Sequence, residues 1–511
     1  MNPAAILLST VLVPTLGAVL LPFVGLVSPR TRNLVSALLV LATVAQAAVL
    51  VATTLDGTVV STDLFGMRVS ADPLASFMAA TSSLVSFVIL IYSFGYIAHY
   101  EHQNEYFALV VLFLGSMMGL VFSQNLLLIF TFWELTSLAS YRLIGFFRKS
   151  EYVAKAGKAF LVTVFGALLM LIGFVALGDA AHSFDLADIV QHFRGAPVPS
   201  WIFFLILGGL LSKSATLPFH TWLPDAGVAP SPVTALLHAA VLVKIGVYVF
   251  ARMFVGALAY DALAETVLLV LISASALVSA GAALVDTNIK RVIAFSTISQ
   301  LAFVFLGFVA GNGVGVSGAL LFILVHGISK AGLFLGAGVV EHATHTKDIE
   351  AMGGLGRTMP VTAASFFVCA LSVMGLPPFG GFFGKLMVIT GAVQAGHKLV
   401  AAVFVVGAVL TVLYLLRLFN RVFLGEPRGE VAPEGDRWMV GSVATLAVAS
   451  VLSGLFINWP SLVAEVAAQR MLSGATASEA PAPRSALGGR VLDGRRLDGR
   501  RLDGRQLGGQ Q

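Results

Sequence analysis

The sequence predicts an all-α, polytopic membrane protein with about fourteen transmembrane helices. Three observations lead there. Apolar windows of about 20 residues, long enough to cross about 30 Å of hydrocarbon at 1.5 Å per residue, recur from the first residues nearly to residue 460. Of 511 residues, 58% are hydrophobic and 11% charged, whereas soluble domains carry about 25% charged residues. The basic residues gather in alternate connections between the windows, as they do where every second loop faces the cytoplasm.

The first window, Ala4 to Val27, is long, lacks a basic leader and is followed by further windows, so it reads as a span and not a cleaved signal. Three leading spans fill residues 1–105. Proline then interrupts two later windows in a similar way, KSATLPFHTWLP and MGLPPFGGFFGKL. Paired broken helices point to a transporter built from repeats with its site near the bilayer midplane. The spacing places one bundle of five spans over 106–254, a second over 262–424, and a last span over 438–460. Residues 461–511 read as an amphipathic stretch and then a tail. From Arg484 the tail repeats Arg and Gly and cannot bury a core, so it is expected to be disordered.

Arg30, Arg32, Arg148, Lys149, Lys155, Lys158, Lys290, Arg291, Lys347, Arg357, Arg421, Arg428 and Arg437 mark the cytoplasmic connections. The intervening loops DGTVVSTDLFGMRVSAD and GDAAHSFDLADIVQHF are poorer in Lys and Arg. The N-terminus is then outside, and an even span count returns the C-terminus there, although the Arg-rich tail runs against that placement. Cys369 is the only cysteine. This excludes internal disulfides, zinc ribbons and cysteine-held iron clusters. No cofactor, metal or nucleic-acid partner is expected, and no redox or hydrolytic chemistry in the chain itself.

The candidate functional residues are charges stranded inside apolar windows. Lys213 lies in WIFFLILGGLLSKSATLPFHTWLPDA, five residues before Pro218. An ammonium at that depth costs several kcal/mol unless it faces a protein interior or wet cavity, and a broken helix needs protein or water for its freed backbone groups. Glu134, in NLLLIFTFWELTSLASYRLIGFF, shares a helical face with Leu138 and Arg142. A local Glu134 and Arg142 pair is the plainer alternative. His238 and Lys244 stand six residues apart, about 120° round an ideal helix; His326 and Lys330, four apart, share a face. Lys385 follows the second break and is expected toward the outer side. Lysine releases a proton more readily when buried, whereas arginine stays charged, and histidine exchanges protons near neutral pH. Glu134, Lys213, His238, Lys244, His326, Lys330 and Lys385 together suggest a hydrated proton relay. The competing classes are a membrane redox enzyme with His238 and His326 as haem or quinone ligands, which would absorb visible light, and a self-sufficient secondary transporter.

FWELTSLASYRLIGF, KSATLPFHTWLPDAGVAPSPVTALLHAAVLVKIGVYVFAR, LVHGISKAGLFLGAG and GLPPFGGFFGK resemble the proton-translocating antiporter-like family. That family is shared by Mrp-type sodium/proton antiporters and the large membrane subunits of respiratory complex I. The resemblance implies two inverted five-helix repeats with helices 7 and 12 broken, in a multisubunit complex of the cell (inner) membrane. It implies Glu134 as the span 5 glutamate and Lys213 as its partner on helix 7. His238 and Lys244 match span 8, His326 and Lys330 span 11, and Lys385 the exit lysine of helix 12. TFWELTS and EHATHTKDIEAMGGL lean toward the Mrp large subunit. A subunit of an NADH-quinone oxidoreductase or membrane-bound hydrogenase is the alternative. The expected partners are the other membrane subunits, with protons as cargo and sodium left open.

Overall fold

The computed structural model describes residues 2–428 and 433–474; the Arg/Gly-rich tail lies outside the described residues. Two helices, α1 (Pro3–Val27) and α2 (Pro29–Thr54), lead into a small hairpin of β1 (Val60–Leu64) and β2 (Met67–Ala71). The strands pair antiparallel from Val60 opposite Ala71 to Leu64 opposite Met67. The hairpin departs from a purely helical expectation. Its cause is local: Phe65 and Gly66 both have positive φ, at 54° and 74°, the backbone of a two-residue turn whose twist matches its strands.

Helices α3 (Pro73–Tyr96), α4 (Gln103–Phe122), α5 (Leu126–Ile144) and α6 (Ser150–Ala181) follow, then a short α7 (Leu186–His192). The first broken segment comprises α8 (Ser200–Lys213), an irregular turn and α9 (Trp222–Asp225). Next, α10 (Ser231–Ala235) and α11 (Leu242–Phe254) flank a π-helical turn at Leu236–Ala240. Then come α12 (Ala262–Val285), α13 (Ile289–Val309) and α14 (Gly313–Thr344). The second broken segment is α15 (Pro360–Met374) and α16 (Gly380–Gln394), followed by α17 (Lys398–Phe423), α18 (Arg437–Leu455) and α19 (Asn458–Leu472).

Among the described residues, twelve helical stretches are long and apolar enough to cross a membrane. The expected count of about fourteen is reached only if α8 with its continuation, and α15 with α16, each cross once. Burial sorts the bundle. The most apolar window of α2 is 28% buried and that of α17 33%, so these lie on the outside of the bundle, while α13 and α14 reach 94% and the α10–α11 stretch 100%. Two of these most buried stretches, α10–α11 and α14, carry His238, Lys244, His326 and Lys330.

Asparagine and aspartate caps set several helix starts. Asn125 accepts from the backbone N–H of Leu127 at 3.0 Å, and Asn288 from Lys290 at 3.0 Å, satisfying donors that a helix start leaves open. Each also forms an isolated β-bridge, Asn125 with Asp185 and Asn288 with Asp348. The device occurs once between α4 and α11 and once between α12 and α17, with the same number of residues between partners. Close packing of α14 on α16 needs Gly391, because a Cβ there would lie 2.4 Å from the Gly315 Cα. Small residues let helix backbones approach this way in membranes.

Candidate functional site

Helix α14 forms the spine of the site. Phe322, His326, Lys330 and Phe334 recur at every fourth residue, so they line one face. The Lys385 amine on α16 lies 5.7 Å from the centre of the Phe322 ring, which is itself 5.8 Å from the His326 ring. At the other end Phe334 packs 4.4 Å from the His238 ring. The Lys244 amine donates to the Ile323 carbonyl at 2.7 Å. Five of the seven candidate residues, His238, Lys244, His326, Lys330 and Lys385, therefore meet this helix.

The ideal-helix expectation that His238 and Lys244 point 120° apart is corrected here. The π-helical turn and Val241, at φ −129° and ψ −73°, break the 100° stepping between them, and both side chains reach α14. Neither ring nitrogen of His238 or His326 has a hydrogen-bond partner in the protein, although both rings are buried.

The four intramembrane lysines, Lys213, Lys244, Lys330 and Lys385, are at most 4% exposed, and their amines rest on carbonyls and hydroxyls. Lys330 donates to Ser296 Oγ at 2.5 Å and to the Ile293 carbonyl at 3.1 Å on α13. Lys385 donates to the Val373 carbonyl at 2.8 Å, at the end of α15. It thus sits at the second break itself, holding the freed carbonyls. Lys213 does not do this at the first break, where the Trp222 indole donates to the Ser212 carbonyl at 2.9 Å instead. The Lys213 amine crosses to α5, donating to Ser137 Oγ at 2.7 Å and the Trp133 carbonyl at 3.1 Å. Among the described residues none of the four makes an ion pair. Isolated buried ammonium groups cost several kcal/mol each, so their retention is not explained by stability.

Glu134 lies beside Lys213 without direct contact: Ser137 Oγ stands between them, 3.4 Å from the carboxylate. The plainer pairing with Arg142 does not occur, because Arg142 turns to Glu105, at 3.0 Å from Nε, at the start of α4. Glu134 is only half-buried and shares an α5 stripe with exposed Leu127 and Leu138, 38% and 52% accessible.

A buried pair absent from the sequence reading joins Asp72, before α3, to Arg252 at the end of α11, with a contact of 2.8 Å from Nη2. Arg252 also donates to the Tyr248 hydroxyl at 3.0 Å. Burial alone would raise the Asp72 carboxyl, but the Arg252 charge and hydrogen bonds outweigh it and hold the pKa below the usual value. The pair then stabilises the fold above the unfolded carboxylate pKa of about 4, and this contribution fades as pH falls through the lower folded value. Asp72→Asn is expected to cost about 3–5 kcal/mol at neutral pH. In detergent melts, its gap from the parent should close toward pH 2; a gap that stays constant would refute the linkage.

A family model described as NADH:quinone oxidoreductase/Mrp antiporter, transmembrane, matches residues 123–411. This chain belongs to that family. Residues 63–107 match a second model, the N-terminus of complex I chain 5. It is a multi-span protein of the cell membrane. Similar relatives include NAD(P)H-quinone oxidoreductase subunit 5, organellar chromatophore 1, of Paulinella chromatophora. That relative is 36% identical over 71% of this chain and 56% of its own length. Na(+)/H(+) antiporter subunit A1 of Staphylococcus aureus is 32% identical over 80% of this chain and 55% of its own. The chain thus spans just over half the length of these curated relatives. A chain of the Mrp complex from Dietzia sp. DQ12-45-1b superposes with a TM-score of 0.84 at 24% identity, over 93% of this chain and 98% of that one. A chain of respiratory complex I from Thermus thermophilus gives 0.80 at 23%, over 91% and 99%. These likenesses place the family's fold on this chain.

Proposed function

We propose that this chain is a proton-translocating membrane subunit of a multisubunit, Mrp-type cation/proton antiporter-like assembly. Protons pass along Glu134, Lys213, His238, Lys244, His326, Lys330 and Lys385. The observation that carries this reading is the α14 stripe, where a histidine and a lysine without a carboxylate partner lie between two phenylalanines that touch His238 and Lys385. Buried imidazoles need hydrogen bonds, and ordered water is the partner left to them. Residues 106–254 and 262–424 form the two inverted repeats in this reading, supported by the matching asparagine bridges.

Glu134 supports the need for other subunits. A carboxylate on a stripe with exposed leucines is costly against lipid, and a neighbouring subunit over that stripe removes the cost. The identity to a quinone oxidoreductase subunit favours a second reading, a proton-pumping subunit of an NADH:quinone oxidoreductase. Mass spectrometry of the purified assembly separates the two, since only the second brings flavin and iron-cluster subunits.

The relay itself is tested by pH-gradient formation in inverted vesicles carrying the whole assembly. Lys244→Met keeps the side chain's bulk and removes its amine. It is expected to slow translocation by at least about tenfold, a floor below the roughly 10²- to 10⁴-fold that a positioned proton-transfer group contributes. A parental gradient would end this reading.

A further inference from the structure

Lys290 reads in the sequence as a loop charge, yet its side chain is 1% exposed and its amine pairs with Glu341 at 2.6 Å. The same amine donates to the Ala229 carbonyl at 3.1 Å. Glu341, near the end of α14, takes a second lysine on its other oxygen, Lys347 at 3.2 Å. The Ser231 hydroxyl donates to it at 3.1 Å. One carboxylate thus gathers two ammonium groups and a hydroxyl, more than a simple clamp between two helices requires.

This carboxylate lines a cavity of about 620 Å³, walled by Tyr96 at the end of α3, Tyr100 in the connection after it, Lys149 and Tyr152 at the start of α6, and His342 and Lys347. The space is open to the surface and roomy enough to hold ordered water against these polar groups. Beside Ser231, Gly338 is bare because a Cβ there would lie 2.4 Å from the Ser231 Cβ and 2.5 Å from the Tyr92 hydroxyl. Ser231 begins the stretch that carries His238 about two turns further on. Ser231 therefore joins the cavity carboxylate to the head of the helical stretch that carries His238.

We propose that this cavity is the relay's mouth on the face that the basic loops assign to the cytoplasm, with Glu341 as its proton-exchanging carboxylate. The inference rests on the relay reading. Water in the cavity protonates the carboxylate, which loosens its hold on Lys290 and Lys347; both lysines keep their protons. The carboxylic proton passes to the Ser231 hydroxyl as that group releases its own to a water molecule on its far side, which carries it on toward His238, and the carboxylate is regenerated. The reverse sequence serves release.

The test uses the full assembly in membrane vesicles. Thr346→Cys, in the cavity wall, should react with a membrane-impermeant thiosulfonate in inverted vesicles and not in right-side-out ones, and the reaction should slow translocation about tenfold. No reaction from that face, or reaction without slowing, overturns the proposal. Glu341→Gln keeps a hydrogen-bond acceptor and removes the exchangeable charge; it should slow translocation about tenfold, with partial recovery in Glu341→Asp. Parental rates in Glu341→Gln alongside loss in Lys213→Ala would sink the mouth and spare the relay. Parental rates in both would sink the relay reading. Should Glu341→Gln fail to fold, the labelling experiment still decides.

Discussion

Replacing Lys213 with alanine is expected to slow pH-gradient formation about tenfold or more while leaving the chain folded and inserted. The two halves of that expectation have separate causes. Transport falls because, among the described residues, Lys213 is the only intramembrane lysine whose amine reaches α5, and through Ser137 it is the link to Glu134. Folding survives because little depends on the amine. Ser137 keeps a bond to the Trp133 carbonyl at 3.2 Å, Trp222 still caps the break, and deleting an unpaired buried charge removes a desolvation cost. Detergent melting checks the second half. Lys213→Arg sharpens the first: arginine keeps charge and donors but does not give up its proton in a protein. It should be as inactive as alanine. Full activity in Lys213→Arg would mean that charge alone suffices at this position, and that no proton passes through it.

How much of this was legible in the sequence differs residue by residue. Lys213, Lys244, Lys330 and Lys385 stand out because a charge against an apolar background is visible without any structure. The broken helices are marked by proline and glycine, and the structure interrupts its helices at those places. Lys290 was not legible as buried. It neighbours Arg291 in DTNIKR and looks like the same loop charge, but adjacent helix residues point 100° apart, so Lys290 faces the core while Arg291 reaches Asp225 and Asp286 near the surface. The Asp72 and Arg252 pair joins residues far apart in the chain, each at a helix end, and no local pattern connects them. The π-helical turn at Leu236–Ala240 contains no glycine or proline to mark it, so periodicity misplaces His238. The Glu134 and Arg142 face was drawn correctly, but a long arginine chooses among all carboxylates in reach, and Glu105 on α4 wins.

Lys330→Met is expected to lower both gradient formation and passive proton flux by about tenfold or more, since it removes the amine at the centre of the α14 stripe without opening a cavity. Two contacts end with it, to Ser296 Oγ and the Ile293 carbonyl. Ser296 is not stranded, because the Tyr414 hydroxyl on α17 remains 2.8 Å away, and Tyr414 also receives the Gln300 amide at 3.4 Å. The polar contacts between α13 and α17 thus outlast the lysine, and any loss of flux belongs to the proton path. Tyr414→Phe provides the contrast. It takes one hydrogen bond from Ser296, worth about 0.5–1.5 kcal/mol, and leaves the amine on its carbonyl, so flux should fall only a few-fold. Equal losses in the two variants would assign the effect to helix packing. Undiminished passive flux in Lys330→Met would place the proton path elsewhere in the bundle, because on this geometry His326 on one side and His238 on the other have no other basic group of α14 between them.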